Sequence, residues 1–143
     1  VVGIGVDYVP HSLDTETTEN VQTDGGSSVT NTVQVDFENL ATLYATLQIP
    51  AAEGLYAKVG YVQVDVITNE NLGTGGAYGD TELDGFTVGI GYQRDISDTF
   101  VRVEANYMEL DGATLVNQND STKSVTADGI TGYGARLSIG KSF

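Results

Sequence analysis

Cysteine is absent from the 143 residues, so no disulfide framework, thiolate metal site or cysteine nucleophile is available. Tryptophan is missing too, proline occurs twice and methionine once. Basic residues are scarce: six Lys and Arg stand against 20 Asp and Glu, for a formal net charge of −14. Phosphate recognition needs clustered cations, so nucleic acid is excluded as a partner. No apolar run reaches the roughly 18 residues of a membrane-spanning helix. No charged leader followed by an apolar run opens the chain, so a processed or partial sequence is expected. Glycine, at 18 residues, and tyrosine, at 8 against 4 Phe, are plentiful. Many Tyr and little Pro suit strands better than helices. Composition does not shift along the chain, which predicts a single domain over residues 1–143. A mean hydropathy of −0.10 fits a soluble protein and a membrane barrel equally.

Period two dominates, the mark of a strand with one apolar and one polar face. Val2, Ile4, Val6 and Tyr8 alternate with Gly3, Gly5 and Asp7. Val33, Val35 and Phe37 continue on one face through Leu43, Ala45, Leu47 and Ile49, which leaves Gln34, Asp36, Glu38, Thr42, Tyr44 and Thr46 opposite. Leu55, Ala57, Val59 and Tyr61 oppose Tyr56, Lys58 and Gly60, after which Val62, Val64 and Val66 fall on the other parity, where a bulge or the end of the span is expected. Two further segments alternate cleanly: Phe86, Val88, Ile90 and Tyr92 against Gly89 and Gly91, and Val101, Val103, Ala105 and Tyr107 against Arg102, Glu104 and Asn106. The last places Tyr133, Ala135, Leu137, Ile139 and Phe143 against Gly134, Arg136 and Ser138. Six strands and no helix of ordinary length are predicted.

The connections alternate between long and short. Polar stretches at 10–32, 68–84 and 111–124 read as long loops, and tight turns are expected near 50–54 and 95–98. In an antiparallel meander the long connections then share one end of the sheet and the short turns the other. That is the layout of outer-membrane barrels, with short periplasmic turns and longer extracellular loops.

Alternation alone leaves open whether the apolar face meets a protein core or lipid, since a soluble lipocalin-like barrel also alternates. Three details favour lipid. The polar face carries Lys58, Arg102, Glu104 and Arg136 at mid-strand, an interior charge network suited to a narrow lumen. Tyr8, Tyr61, Phe86, Tyr107 and Tyr133 lie toward the loop end and Tyr92 and Phe143 toward the turn end, as two aromatic girdles. The apolar stretches between them span about the nine to eleven residues that a tilted membrane strand needs.

The terminal segment Gly-Tyr-Gly-Ala-Arg-Leu-Ser-Ile-Gly-Lys-Ser-Phe, with Gly-Leu-Tyr-Ala-Lys-Val-Gly-Tyr and Gly-Phe-Thr-Val-Gly-Ile-Gly-Tyr, resembles strands of the OmpA/OmpX-like family of small outer-membrane β-barrels. The resemblance implies an all-β, antiparallel up-and-down transmembrane barrel of eight strands, of which about six lie in this chain. An N-terminal hairpin is therefore expected to be missing, since Val1 already stands inside a strand. It implies an assembly signal in Tyr133, Ala135, Leu137, Ile139 and Phe143, read by the barrel assembly machinery. It also implies residence in the bacterial outer membrane, contact with lipid and lipopolysaccharide, and extracellular loops open to adhesion or phage contacts.

Catalytic chemistry finds no footing. His11, the sole histidine, stands near Ser12 and Asp14 in a polar segment rather than on a strand that would fix a triad. Gly73, Gly75 and Gly76 lack the Lys and helix of a phosphate loop. The carboxylates of the long connections read as solvated surface, with loose Ca²⁺ or Mg²⁺ binding as the functional alternative. The expectation is a non-enzymatic structural or surface-display barrel without cofactor or metal, against a narrow porin or transporter and a soluble lipocalin-like carrier.

Overall fold

The computed structural model describes residues 1–73 and 75–141, the Asp24 side chain excepted. Phe143, expected in the lower girdle and the assembly signal, lies outside the described residues. Ten strands form: β1 Val2–Val9, β2 Leu13–Asp14, β3 Thr18–Asp24, β4 Ser27–Gln48, β5 Leu55–Leu72, β6 Thr81–Ile96, β7 Thr99–Leu110, β8 Ala113–Val116, β9 Ser124–Ala127 and β10 Ile130–Lys141. There is no helix among the described residues. The main sheet runs β1-β4-β5-β6-β7-β10, antiparallel throughout, with β2 and β3 continuing the line of β1 along β4. β8 and β9 form a separate two-stranded ribbon between β7 and β10. The six alternating ribbons read from the sequence are thus the six strands of this path.

Among the described residues no ladder joins β1 to β10, yet Arg136 Nη1 on β10 lies 2.9 Å from Asp7 Oδ2 on β1. The sheet is therefore a curled trough whose two edges face each other across its hollow. Inner-face glycines let it curl this tightly, because aromatic rings lie where their side chains would be. A Cβ on Gly91 would come 2.2 Å from Tyr56 Cζ, and one on Gly5 2.5 Å from Tyr44 Cζ.

Three expectations need correction. The stretch 10–32 is largely strand, with β3 and β4 meeting at a tight turn of Gly25 and Gly26. Strands enter both ends of 68–84, where β5 runs on to Leu72 and β6 starts at Thr81, whereas 111–124 is mostly loop around β8. The polar composition of the strand portions reflects a wet outer face, which an apolar-alternation criterion reads as loop. Second, β5 itself keeps its phase: its register with β6 is continuous through Val62–Val66, so these valines share the inner face with Lys58. Third, the slip lies in β4, between Glu38 and Ala41. Asn39 adopts φ 54° there, in the left-handed region that Asn tolerates best after Gly. Its carboxamide oxygen accepts from the Tyr8 hydroxyl at 2.6 Å and its nitrogen donates to Asp65 at 2.8 Å, which pins the bulge. Val35 and Phe37 consequently face inward, while Leu43 and Leu47 face outward. Asp36 and Glu38, expected in the lumen, take the outer face.

The bulge marks a height at which the sheet reverses polarity. Tyr61 pairs with Phe86 and Tyr107 with Tyr133 across strands, forming a row on the outer face in which the Tyr107 and Tyr133 rings lie 5.3 Å apart. On the turn side of this row the outer face is aliphatic and exposed: Ile4, Val6, Leu43, Val59, Ile90, Val103, Leu137 and Ile139 among others. On β6 that stretch ends at Tyr92 before Arg94, shorter than the expected nine to eleven residues. On the loop side the outer face turns acidic with Glu38, Asp65, Glu82 and Asp84, and the inner face becomes aliphatic. Val62, Val64, Val66, Leu83 and Leu110 are buried there, with Val35, Phe37, Leu40, Met108 and Ala113 packed against them.

Substituting Gly91→Ala forces a methyl into the Tyr56 ring, and the expected cost is about 1–3 kcal/mol. Gly134→Ala meets nothing within 4 Å and leaves stability unchanged by this route. Urea unfolding of the two variants in detergent measures the difference.

Candidate functional site

The inner face on the turn side of the aromatic row holds the charged residues. Lys58 on β5 and Glu104 on β7 are both buried, at 5% and 4% exposure. Such burial is tolerated only with partners, because an unpaired charge loses its hydration without compensation. Lys58 Nζ lies 3.0 Å from Asp7 Oδ2 and 3.3 Å from Glu104 Oε1, and 3.9 Å from the centre of the Tyr44 ring. Arg136 closes the layer through Asp7. One carboxylate oxygen of Asp7 thus receives two cations, one from β5 and one from the far edge strand.

Of the four residues expected in the interior network, Lys58 and Glu104 pair directly. Arg136 faces Glu104 across the β7–β10 ladder but makes its ion pair with Asp7. Arg102 joins no ion pair among the described residues. Its Nε and Nη2 donate to Gln93 Oε1 at 3.1 and 2.7 Å, and its guanidinium carbon lies 5.1 Å from the Phe100 ring and 5.7 Å from Tyr56. Tyr44 and Gln93 were missed as members of the layer. Both stand on the polar parity of their strands, the one signal that could have selected them.

The hollow is divided along its length. A cavity of about 950 Å³ opens at the turn end, lined by Thr46, Gln48, Tyr56, Gln93 and Arg102 with the 50–54 turn at its rim. The ionic layer follows. A pocket of about 180 Å³ lies beyond it, between Asp7, Lys58, Asn106 and Gly134. The aliphatic cluster then fills the inner face toward the loops, and the tips enclose about 400 Å³ between Gln22, Asn31, Tyr78, Asn117 and Lys123.

The aromatic residues expected in the girdles are placed on the outer face, with Tyr8, Tyr61, Phe86, Tyr92 and Tyr133 all 45% exposed or more. Tyr107 is half-buried and donates its hydroxyl to Glu109 at 2.9 Å. Ala135, Leu137 and Ile139 of the expected assembly signal stand outward on edge strand β10. His11, Ser12 and Asp14 are exposed and do not hydrogen-bond one another. In the loops, Asp120 accepts from the hydroxyl and N–H of Thr122, which with Lys123 holds its carboxyl below the usual range. Among the described residues no group of three or more His, Asp or Glu is placed to hold a metal ion. No family model, curated protein or solved structure matches the chain.

Glu104→Ala leaves buried Lys58 with Asp7 alone, and the expected loss is about 3–5 kcal/mol. Pairing Glu104→Leu with Lys58→Met removes both charges and recovers most of it. A double-mutant cycle in urea measures the coupling; additive losses would show the two charges to be independent.

Proposed function

We propose that this chain is the greater part of a small transmembrane β-barrel of the bacterial outer membrane, an OmpA/OmpX-like structural protein that displays acidic, strand-built projections at the cell surface. The observation that carries this reading is the reversal of polarity at the aromatic row. On one side of it aliphatic groups point out and ions point in; on the other the order is inverted. A soluble barrel needs its apolar face inward at every height, whereas a sheet that leaves a bilayer must change at the boundary. Each outward Val, Leu or Ile forgoes about 1.5–3 kcal/mol if it stays in water. About a dozen of them would cost on the order of 20 kcal/mol or more, exceeding the whole stability of an ordinary domain. Lipid contact removes that cost, and Tyr and Phe suit the boundary itself.

Support for the envelope, without solute passage, fits the divided hollow better than a porin does, because the ionic layer and the aliphatic cluster both occupy the inner face along its length. The acidic outer collar beyond the aromatic row would meet lipopolysaccharide headgroups and any adhesion partner or phage. Membrane fractionation with gel mobility before and after boiling checks the reading: the expected protein stays with washed membranes and migrates faster unboiled. Recovery in the soluble fraction with no mobility change would overturn it. In planar bilayers no stepwise conductance is expected.

In lipid the open edges of β1 and β10 would leave backbone groups unsatisfied at several kcal/mol each, so the ring must close. β1 and β10 run in opposite directions, so only an even number of added strands keeps every neighbour antiparallel. The Asp7–Arg136 ion pair limits the gap: at full stretch the two side chains and their 2.9 Å contact span about 13 Å. Two strands need three spacings of about 4.8 Å, roughly 14 Å and so at the very limit of that reach, while four need about 24 Å and would not fit. An eight-stranded ring completed by one hairpin is the largest that these limits admit. With cysteines at Val6 and Ala135, a spacer of about 13 Å is expected to bridge the edges of the 143-residue chain. A direct disulfide, which needs Cα atoms within about 7 Å, would mean that six strands close alone.

A further inference from the structure

Three cations and two carboxylates share the inner face at mid-height: Lys58, Arg102 and Arg136 against Asp7 and Glu104. Lys58 and Arg136 use both carboxylates. Arg102 stands over, in a chain whose net charge is −14. Among the described residues no carboxylate oxygen lies within 4.0 Å of it. From these facts and the cavity beside it, we propose that Arg102 anchors a binding site for a monocarboxylate with an apolar body, entered from the turn end of the hollow.

The guanidinium is held in advance of any ligand. Gln93 Oε1 takes the Nε and Nη2 protons, and the Phe100 and Tyr56 rings flank the group at 5.1 and 5.7 Å. An arginine carries five N–H donors in a planar fork, so three remain after Gln93 is served. A fork fixed by packing matches a carboxylate through two parallel hydrogen bonds and spends little entropy in doing so. Arg102 also lines the cavity of about 950 Å³ that opens at the turn end, far more room than a bare ion fills. Tyr56 lines the same space and offers an apolar surface next to the charge.

The surrounding groups select among anions. Glu104, the nearest carboxylate along β7, is engaged by Lys58. Gln93 Nε2 donates to Asp95 Oδ1 at 2.9 Å, so Asp95 orients the amide that orients Arg102 without touching the guanidinium. Glu53 and Asp95 line the cavity together with Arg94 and the Val1 ammonium of the 143-residue chain, so these four groups carry no net charge. The Tyr56 ring beside the fork favours an anion with an apolar body over phosphate, which has none. The polar chain from Arg102 through Gln93 to Asp95 and the open space above the fork together give the site its direction, with the carboxylate inward and the body toward the mouth.

This inference holds whatever covers the outer face, so its test does not depend on the membrane reading. The 143-residue chain with ¹⁵N label, in whichever of plain buffer or micelles keeps it folded, is titrated with benzoate, acetate and phosphate while the Arg102 Nε–H resonance is followed. A saturating shift with benzoate at roughly millimolar concentration is expected, about tenfold tighter than acetate, with phosphate weakest. Arg102→Gln abolishes the saturating backbone shifts around Gln93, Arg102→Lys restores them in part, and Lys123→Gln at the opposite end leaves them unchanged. Glu53→Gln, on an exposed turn, tightens benzoate binding about twofold or more by removing a like charge. A linear shift without saturation, an identical curve in Arg102→Gln, or phosphate binding above benzoate would overturn the proposal. Should Arg102→Gln not fold, Glu53→Gln decides it, since unchanged or weaker benzoate binding in that variant overturns it equally.

Discussion

A single carboxylate oxygen on Asp7 receives Lys58 from two strands away and Arg136 from the opposite edge of the sheet. Twisted antiparallel strands can form an open sheet of many curvatures, so something must select this one. The ion pairs do so by distance, because Arg136 reaches Asp7 only when the edges stand close. Burial of Lys58 and Glu104 makes the choice stringent, because opening the sheet would separate both from their partners. The glycines then permit what the charges require, by accepting the Tyr44, Tyr56 and Phe100 rings in place of side chains.

Above the charged layer the molecule solves a different problem with the same strands. On β5 the composition of one parity changes from Lys58 and Gly60 to Val62, Val64 and Val66, and the phase is kept. On β4 the phase itself slips at Asn39, so that Val35 and Phe37 can join those valines while Leu43 and Leu47 remain outside. Neighbouring strands thus reach one inner core by two independent devices. The Asn39 carboxamide ties the slip to β1 and β5 together, which keeps the reversal at a common height around the trough.

Much of this was legible in residue order. Strict alternation identified the six ribbons and put Lys58, Arg102, Glu104 and Arg136 on one face, because a period of two permits no other grouping once a strand is granted. That this face is the inner one came from the mid-strand charges and the placement of the aromatics. At Val62–Val66 the change of parity was legible, and of its two readings the bulge in β5 assumed that apolar residues share one face along a whole strand, which fails where inside and outside exchange roles. The slip at Asn39 left no trace in hydrophobicity, since Val35 and Leu43 keep the same parity on either side of it; only an Asn suited to positive φ marked the place. Which cation meets which carboxylate depends on the curl, a long-range property that strand periodicity does not encode. For that reason Arg102 was grouped with Glu104 although its contacts are Gln93 and two rings.

The unbroken ladder between β4 and β5, from Asn31 opposite Leu72 down to Gln48 opposite Tyr56 apart from the one slip, has a mechanical consequence. A force applied at the Gly25–Gly26 tip and directed along the strands loads these backbone hydrogen bonds together, in shear, rather than peeling them one at a time. The projection is built as a stiff lever, so tension from anything gripping its tip passes to the charged ring at its base instead of being dissipated by a yielding loop.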